Sequence, residues 1–150
     1  MKRIHLIGFI SIFGLFLACN DDTIGPSEPE VDLDLIVLNH DGPNVDAPQL
    51  PANTYEAAVR FTAAELGIAV GGKLQEVHYF IQAPPDELEV RIYTGGTDRP
   101  GRLLYQQDLS RTIRASAWNK HTLTNAVTLN DDDLWVALRF SHGIDQRSLG

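Results

Sequence analysis

The stretch that decides the fold is Leu88-Glu89-Val90-Arg91-Ile92. Its apolar side chains recur at every second position, and charged side chains fill the positions between them. Successive side chains of an extended chain point to opposite faces, so this stretch has one apolar face and one charged face. The sequence therefore predicts a half-buried β-strand here, closed by the turn-forming segment Gly95–Gly101.

Similar short strands recur along the chain, separated by segments rich in Gly, Pro, Asn and Asp. Their spacing of about eight to twelve residues is typical of an antiparallel sandwich or barrel. We expect Leu134–Phe140 to be a central strand, because it is apolar on both faces at its start. The other predicted strands are Ile36–Leu38, Tyr55–Phe61, Lys73–Gln82, Leu103–Leu109, Trp118–Leu123 and Ala126–Leu129.

One short helical element is predicted between two of these strands. Thr62 and Glu65 have the spacing of a capping box, and Gly71-Gly72 is a suitable helix end. An element this small cannot cover a parallel sheet, which needs helices on both faces. The predicted fold class is therefore all-β, an antiparallel β-sandwich with one short helical turn.

The N-terminus has the features of an export signal. Lys2 and Arg3 precede an apolar run from residue 4 to residue 17 that is too short to span a bilayer. Phe16-Leu17-Ala18-Cys19 resembles a lipobox, with Phe16 in place of the more usual leucine. We therefore expect residues 1–18 to be a lipoprotein signal peptide and Cys19 to carry the lipid. The alternative is an ordinary secretory signal in which Cys19 has no role.

Residues 19–34 are acidic, contain Gly25, Pro26 and Pro29, and predict a flexible tether. The acidic residues directly after Cys19 look like the export signal of Bacteroidota surface lipoproteins. That resemblance implies an outer-membrane, lipid-anchored protein exposed at the cell surface. Periplasmic retention is the alternative.

Composition excludes several classes of function. The chain has 150 residues and a formal charge of −8, which becomes −10 when Lys2 and Arg3 leave with the leader. Nucleic acid is therefore an unsuitable partner, since binding it requires neutralising phosphates with basic side chains. Cys19 is the single cysteine, so once it is acylated the chain has no disulfide, zinc–thiolate site or cysteine nucleophile.

Seven short motifs follow one another along the chain: Tyr55–Phe61, Ala64–Leu66, Gly72–Val77, Val90–Gly96, Pro100–Tyr105, Trp118-Asn119 and Leu134–Val136. Together they resemble the β-sandwich modules of Bacteroidota surface and secreted proteins, some of which lie near gingipain-type adhesin and peptidase regions. The resemblance covers about residues 35–140 and implies a jelly-roll-like fold, a role in adhesion or ligand binding, and no catalytic residues. We expect the β-sandwich domain to comprise residues 35–150, and to be truncated at its C-terminus, because such modules usually continue through a further strand.

Candidate binding residues fall into two groups. Asp41, Asn44 and Asp46 alternate around a turn and offer the oxygen ligands that calcium prefers, although an ordinary Asx turn explains them equally well. Tyr93 and Trp135 lie on strands, opposite the apolar positions, and could hold a glycan by stacking. Aromatic residues at such positions also serve as sheet-surface packing.

The sequence thus predicts a non-enzymatic, lipid-anchored cell-surface module for binding or adhesion. Its partners would be the membrane, through Cys19, and a glycan or a surface protein; no cofactor other than calcium is a candidate. Two alternatives remain open at this point. The chain could be an accessory or stalk domain without a ligand, or the N-terminal module of a truncated peptidase or glycosidase.

Overall fold

The computed structural model describes residues 35–40 and 46–150. The predicted signal peptide (1–18), Cys19, the rest of the tether (to residue 34) and the calcium candidates Asp41 and Asn44 lie outside the described residues. Within the described part, no helix has the length and apolar character needed to cross a membrane.

The described chain alternates short strands with turns and has one helical segment. The strands are β1 (Asn53–Phe61), β2 (Lys73–Ile81), β3 (Glu87–Thr94), β4 (Arg102–Asp108), β5 (Ala117–Thr128) and β6 (Leu134–His142). The helical segment comprises α1 (Ala63–Leu66) and a 3₁₀ turn (Gly67–Ala69), both between β1 and β2.

The strands form two antiparallel sheets. The first has four strands in the order β1-β6-β3-β4, and the second has two, β2 and β5. The predicted fold class, an antiparallel all-β sandwich with one short helical element, is confirmed. β6 lies between β1 and β3, as expected for a strand that is apolar on both faces at its start.

The core lies on the inner side of the four-stranded sheet, which faces β2 and β5. Leu88, Val90 and Ile92 of β3 are fully buried there. Moving each such side chain out of water contributes roughly 1.5–3 kcal/mol. Val77, Tyr79 and Ile81 of β2 complete the same cluster and alternate with more exposed neighbours, as predicted.

The predicted capping box is present at the start of α1. The Glu65 carboxylate accepts from the Thr62 backbone N–H at 2.8 Å, and the Thr62 hydroxyl accepts from the Glu65 N–H at 3.3 Å. Gly71 then adopts a φ of +87°, a left-handed conformation that glycine accepts without steric cost. The chain thereby turns from the helical segment into β2.

Two strand predictions were wrong in detail. Ile36–Leu38 is not a strand; Val37 is 77% exposed, and only Leu38 packs partly against the core. A short apolar run becomes a strand only where another strand pairs with it. Trp118–Leu123 and Ala126–Leu129 are not separate strands, because β5 runs unbroken across most of both segments. The pairing of β5 with β2 shifts register between Leu74 and Glu76, and the strand continues past this shift.

Tyr105 joins the two sheets at the edge where β4 approaches β5. It lies opposite Ile92 and points inward, and its hydroxyl accepts from the backbone N–H of Thr124 on β5 at 3.2 Å. The same hydroxyl lies 3.0 Å from His121 Nε2 and donates to Gln107. Burial lowers the pKa of His121, which favours the neutral imidazole. Hydrogen bonds of the Tyr105 side chain thus connect the two sheets at this edge, where the described residues of β4 and β5 are not paired as strands.

We predict that Tyr105→Phe lowers the free energy of unfolding by about 1–3 kcal/mol, because it leaves the Thr124 N–H without its acceptor and removes one of the two hydroxyl donors to the Gln107 side-chain carbonyl. Urea denaturation followed by circular dichroism measures the change. Tyr79→Phe is the matched control, since the Tyr79 hydroxyl has no hydrogen-bond partner among the described residues. An equal loss in both variants would show that Tyr105 contributes only its ring.

Candidate functional site

Tyr93 and Trp135 lie side by side on the outer face, the side of the four-stranded sheet that points away from β2 and β5. They are direct cross-strand partners in the pairing of β3 with β6. Their chain neighbours Ile92 and Leu134 are buried on the inner side, so the two aromatic rings point outward. Both are half-buried. The structure therefore brings together two candidates that are 42 positions apart in sequence.

The indole of Trp135 is held from its edge and from its face. Its Nε1–H donates to the carbonyl of Gly96 at 2.9 Å, which ties the ring to the β3–β4 turn. The guanidinium carbon of Arg60 lies 5.8 Å from the ring centroid, within the range of a cation–π contact. Arg60 in turn donates to the Thr97 carbonyl at 2.6 Å. These contacts fix the orientation of the indole.

The hydroxyl of Tyr93 is held by charged neighbours on the same face. It donates to a Glu56 carboxylate oxygen at 2.7 Å. Arg91 lies between the carboxylates of Glu56 and Glu89, at 3.2 and 2.7 Å. Burial and the bond to Glu56 raise the pKa of Tyr93, so the phenol remains protonated at neutral pH. The outer face thus presents two oriented rings beside fixed hydrogen-bonding groups.

The sheet register assembles charged residues that sequence reasoning did not assign to the site. Arg60 and Glu56 come from β1, Arg91 from β3 and Arg139 from β6. Arg139 lies 3.8 Å from Glu89. In the sequence, each of these charged residues lies between apolar residues whose side chains face inward. This alternation is the one sequence signal that predicts their outward orientation. Since their side chains are partly exposed, each ion pair contributes only about 0–1 kcal/mol and mainly fixes geometry.

Asp133, the last residue of the acidic run Asp131–Asp133 before β6, connects three neighbouring segments. Asp133 accepts from Arg60 at 2.6 Å and from the backbone N–H of Ala63, at the start of α1, at 2.9 Å. Its own backbone carbonyl accepts from the Gly95 N–H at 2.7 Å. Asp133 therefore holds the end of β1, the helical segment and the β3–β4 turn together beside Trp135.

The predicted calcium site has no support among the described residues. Asp46 forms an ion pair with Arg147 at 2.7 Å and accepts from the Ala47 backbone N–H, while Asp41 and Asn44 lie outside the described part. Within that part, no group of three or more His, Asp or Glu side chains is placed to hold a metal ion.

Two open concavities lie away from the aromatic pair. One, of about 510 Å³, lies between β4 and the second half of β5, and the other, of about 540 Å³, borders Asn53, Glu87 and Ser141. Neither contains Tyr93 or Trp135. The second concavity borders the far end of the outer face, since Glu87 and Ser141 point outward there, and the aromatic pair lies outside both concavities.

Comparison with known proteins adds no relative. No protein-family model, no curated protein and no solved structure matches this chain.

Proposed function

We propose that this protein is a lipid-anchored, cell-surface binding module that holds a glycan on the outer face of its four-stranded sheet. The observation that carries the proposal is the cross-strand pair of Tyr93 and Trp135, oriented outward beside fixed charged groups. No catalytic role is proposed for any residue of this face.

A saccharide suits the chemistry of this platform. Sugar rings carry patches of C–H groups that pack against aromatic faces, and hydroxyls that hydrogen-bond to carboxylates and guanidinium groups. Trp135 and Tyr93 supply the apolar area at little cost in conformational entropy, because their rings are already held. Glu56 and Arg91 lie within reach of hydroxyls at the edge of a bound ring.

The charge of the platform favours a neutral glycan. Around the aromatic pair, three guanidinium groups are matched by three carboxylates. Glu87 and Asp108 add two carboxylates to the same face, because they share cross-strand rows with Ser141 and Glu89, so the face has no basic excess. A sulfated or phosphorylated polymer would lack the basic excess that such ligands require. The six charged residues are Arg60, Arg91, Arg139, Glu56, Glu89 and Asp133.

We predict that Trp135→Ala and Tyr93→Ala each weaken glycan binding by about tenfold, since an aromatic packing contact contributes roughly 0.5–1.5 kcal/mol beyond its buried area. A glycan array identifies the ligand for the full-length chain in detergent, and calorimetry then measures its affinity for each variant.

Trp118→Ala is the matched control for these variants. Trp118 lies on the outer side of the two-stranded sheet, opposite Phe80, and is 47% exposed. Its loss should leave glycan affinity unchanged, while thermal melts confirm that all three variants fold. Failure of every neutral glycan to bind, or an equal loss of affinity in Trp118→Ala, would contradict the proposal.

The anchoring part of the proposal rests on the leader and on Cys19. We predict that Cys19→Ala abolishes incorporation of labelled palmitate and moves the protein from the membrane to the soluble fraction, because the thiol is the site of acylation. Thr23→Ala, four positions further on, is the control and should remain membrane-bound. Continued labelling of the Cys19→Ala protein would contradict the lipid assignment.

A further inference from the structure

The aromatic pair of the outer face belongs to a line of apolar side chains that crosses three strands. Trp135 on β6 pairs directly with Tyr93 on β3, and Tyr93 pairs directly with Leu103 on β4. Leu103 points outward with its partner, because directly opposite residues share a face of the sheet. A single exposed leucine is ordinary, but this one is 43% exposed and continues the line of the two rings. We call Trp135, Tyr93 and Leu103 the apolar row.

Arg60 ends the apolar row on the β1 side. It is the cross-strand partner of Trp135, and its guanidinium group lies against the indole. Each of its three guanidinium nitrogens already has an acceptor: Nε and one terminal nitrogen contact the Asp133 carboxylate, and the other donates to the Thr97 carbonyl. Arg60 therefore borders the apolar row and does not extend it.

The outer face has no comparable apolar line along its strands. Next to the apolar row, Arg91 and Tyr93 reach from β3 across β6 to the Glu56 carboxylate on β1. Their side chains cross β6 at Ala137, which is only 1% exposed although it points outward. The next outward position of β6 is the charged Arg139. Apolar surface therefore runs across the strands, and charged side chains border it along them.

We propose that the apolar row binds three consecutive sugar units of an unbranched, neutral, equatorially linked glycan that lies across the strands. This inference rests on the proposed function and defines the class of glycan and its direction on the sheet. Each sugar ring would pack one C–H face on one side chain of the apolar row. Arg91 and Glu56, beside the row, would contact hydroxyls at the edge of the chain.

The spacing of the apolar row suits such a chain. Neighbouring strands are about 4.7–4.9 Å apart, so Trp135, Tyr93 and Leu103 follow one another at about this interval. A pyranose ring occupies a similar length in an extended glycan, so successive rings meet successive side chains. Equatorial linkages keep the chain extended, whereas an axial linkage turns the next ring away from the line. A terminal sugar alone would fill one position of the three.

Calorimetry on the full-length chain in detergent tests this inference. The probes are the monosaccharide to the tetrasaccharide of β-1,4-linked glucose, xylose and mannose, and the α-1,4-linked glucose series is the matched control, since it differs in linkage alone from the first. At least one β-1,4-linked series should bind. Its affinity should rise about fivefold from the disaccharide to the trisaccharide, because a third ring removes apolar area of Leu103 from water, and should change little at the tetrasaccharide.

Two residues of β4 provide matched variants. Leu103 and Gln106 are both exposed and point outward, but Gln106 pairs with Arg91 and lies outside the apolar row. Leu103→Ala should lower the affinity for the trisaccharide about fivefold, to the value that the unchanged protein has for the disaccharide. Gln106→Ala should leave the affinity unchanged, whereas a glycan that ran along β3 and β4 would contact Gln106. Thermal melts check that both variants fold.

Four results would overturn the inference. They are no binding of any β-1,4-linked series, equal binding of the α-1,4-linked series, a monosaccharide bound as tightly as the trisaccharide, and a loss of affinity in Gln106→Ala instead of Leu103→Ala. If another neutral glycan still binds through Trp135 and Tyr93, only this inference fails. If no neutral glycan binds, the proposed function fails with it.

Discussion

The inward row of Leu88, Val90 and Ile92 on β3 is the constraint on which the rest of the structure depends. These side chains are fully buried, and burying them requires a second layer at the usual sheet-to-sheet distance of about 10 Å. β2 and β5 supply that layer, and Tyr105 connects it to the β4 edge. The cover is therefore centred on β3 and leaves β1 at the margin.

The two sides of the four-stranded sheet consequently have different chemistry. On the outer face, ion pairs and hydrogen bonds hold Trp135 and Tyr93 in fixed orientations. On the inner side, apolar side chains of β3, β6 and β1 share cross-strand rows, and burial decreases along these rows towards β1. The outer face therefore offers oriented rings and polar groups, which suit the proposed saccharide, whereas the inner side offers apolar area to the core.

Local pattern in the sequence was sufficient for most of the fold. The alternation in β3, and the capping box of Thr62 and Glu65, depend on side chains within a few positions of one another, and both were predicted correctly. Ile36–Leu38 was wrong because pairing, which the local pattern does not contain, decides whether an apolar run becomes a strand.

The candidate site was predictable only in part. Tyr93 and Trp135 were named individually from their positions opposite apolar residues, but their contact follows from the register of β3 against β6. Glu56 and Arg60 join them through the pairing of β1 with β6, which sequence spacing cannot reveal. The lipid assignment of Cys19 remains a prediction from the leader.

Native-state hydrogen exchange of the free protein tests most directly the claim that β2 and β5 cover the four-stranded sheet mainly at β3. We expect the amides of Leu88–Ile92 to exchange through global unfolding, and those of β1 to exchange faster by orders of magnitude through local opening. Exchange in the middle of β1 as slow as that in β3 would contradict the account, because the apolar rows would then be covered along their whole length.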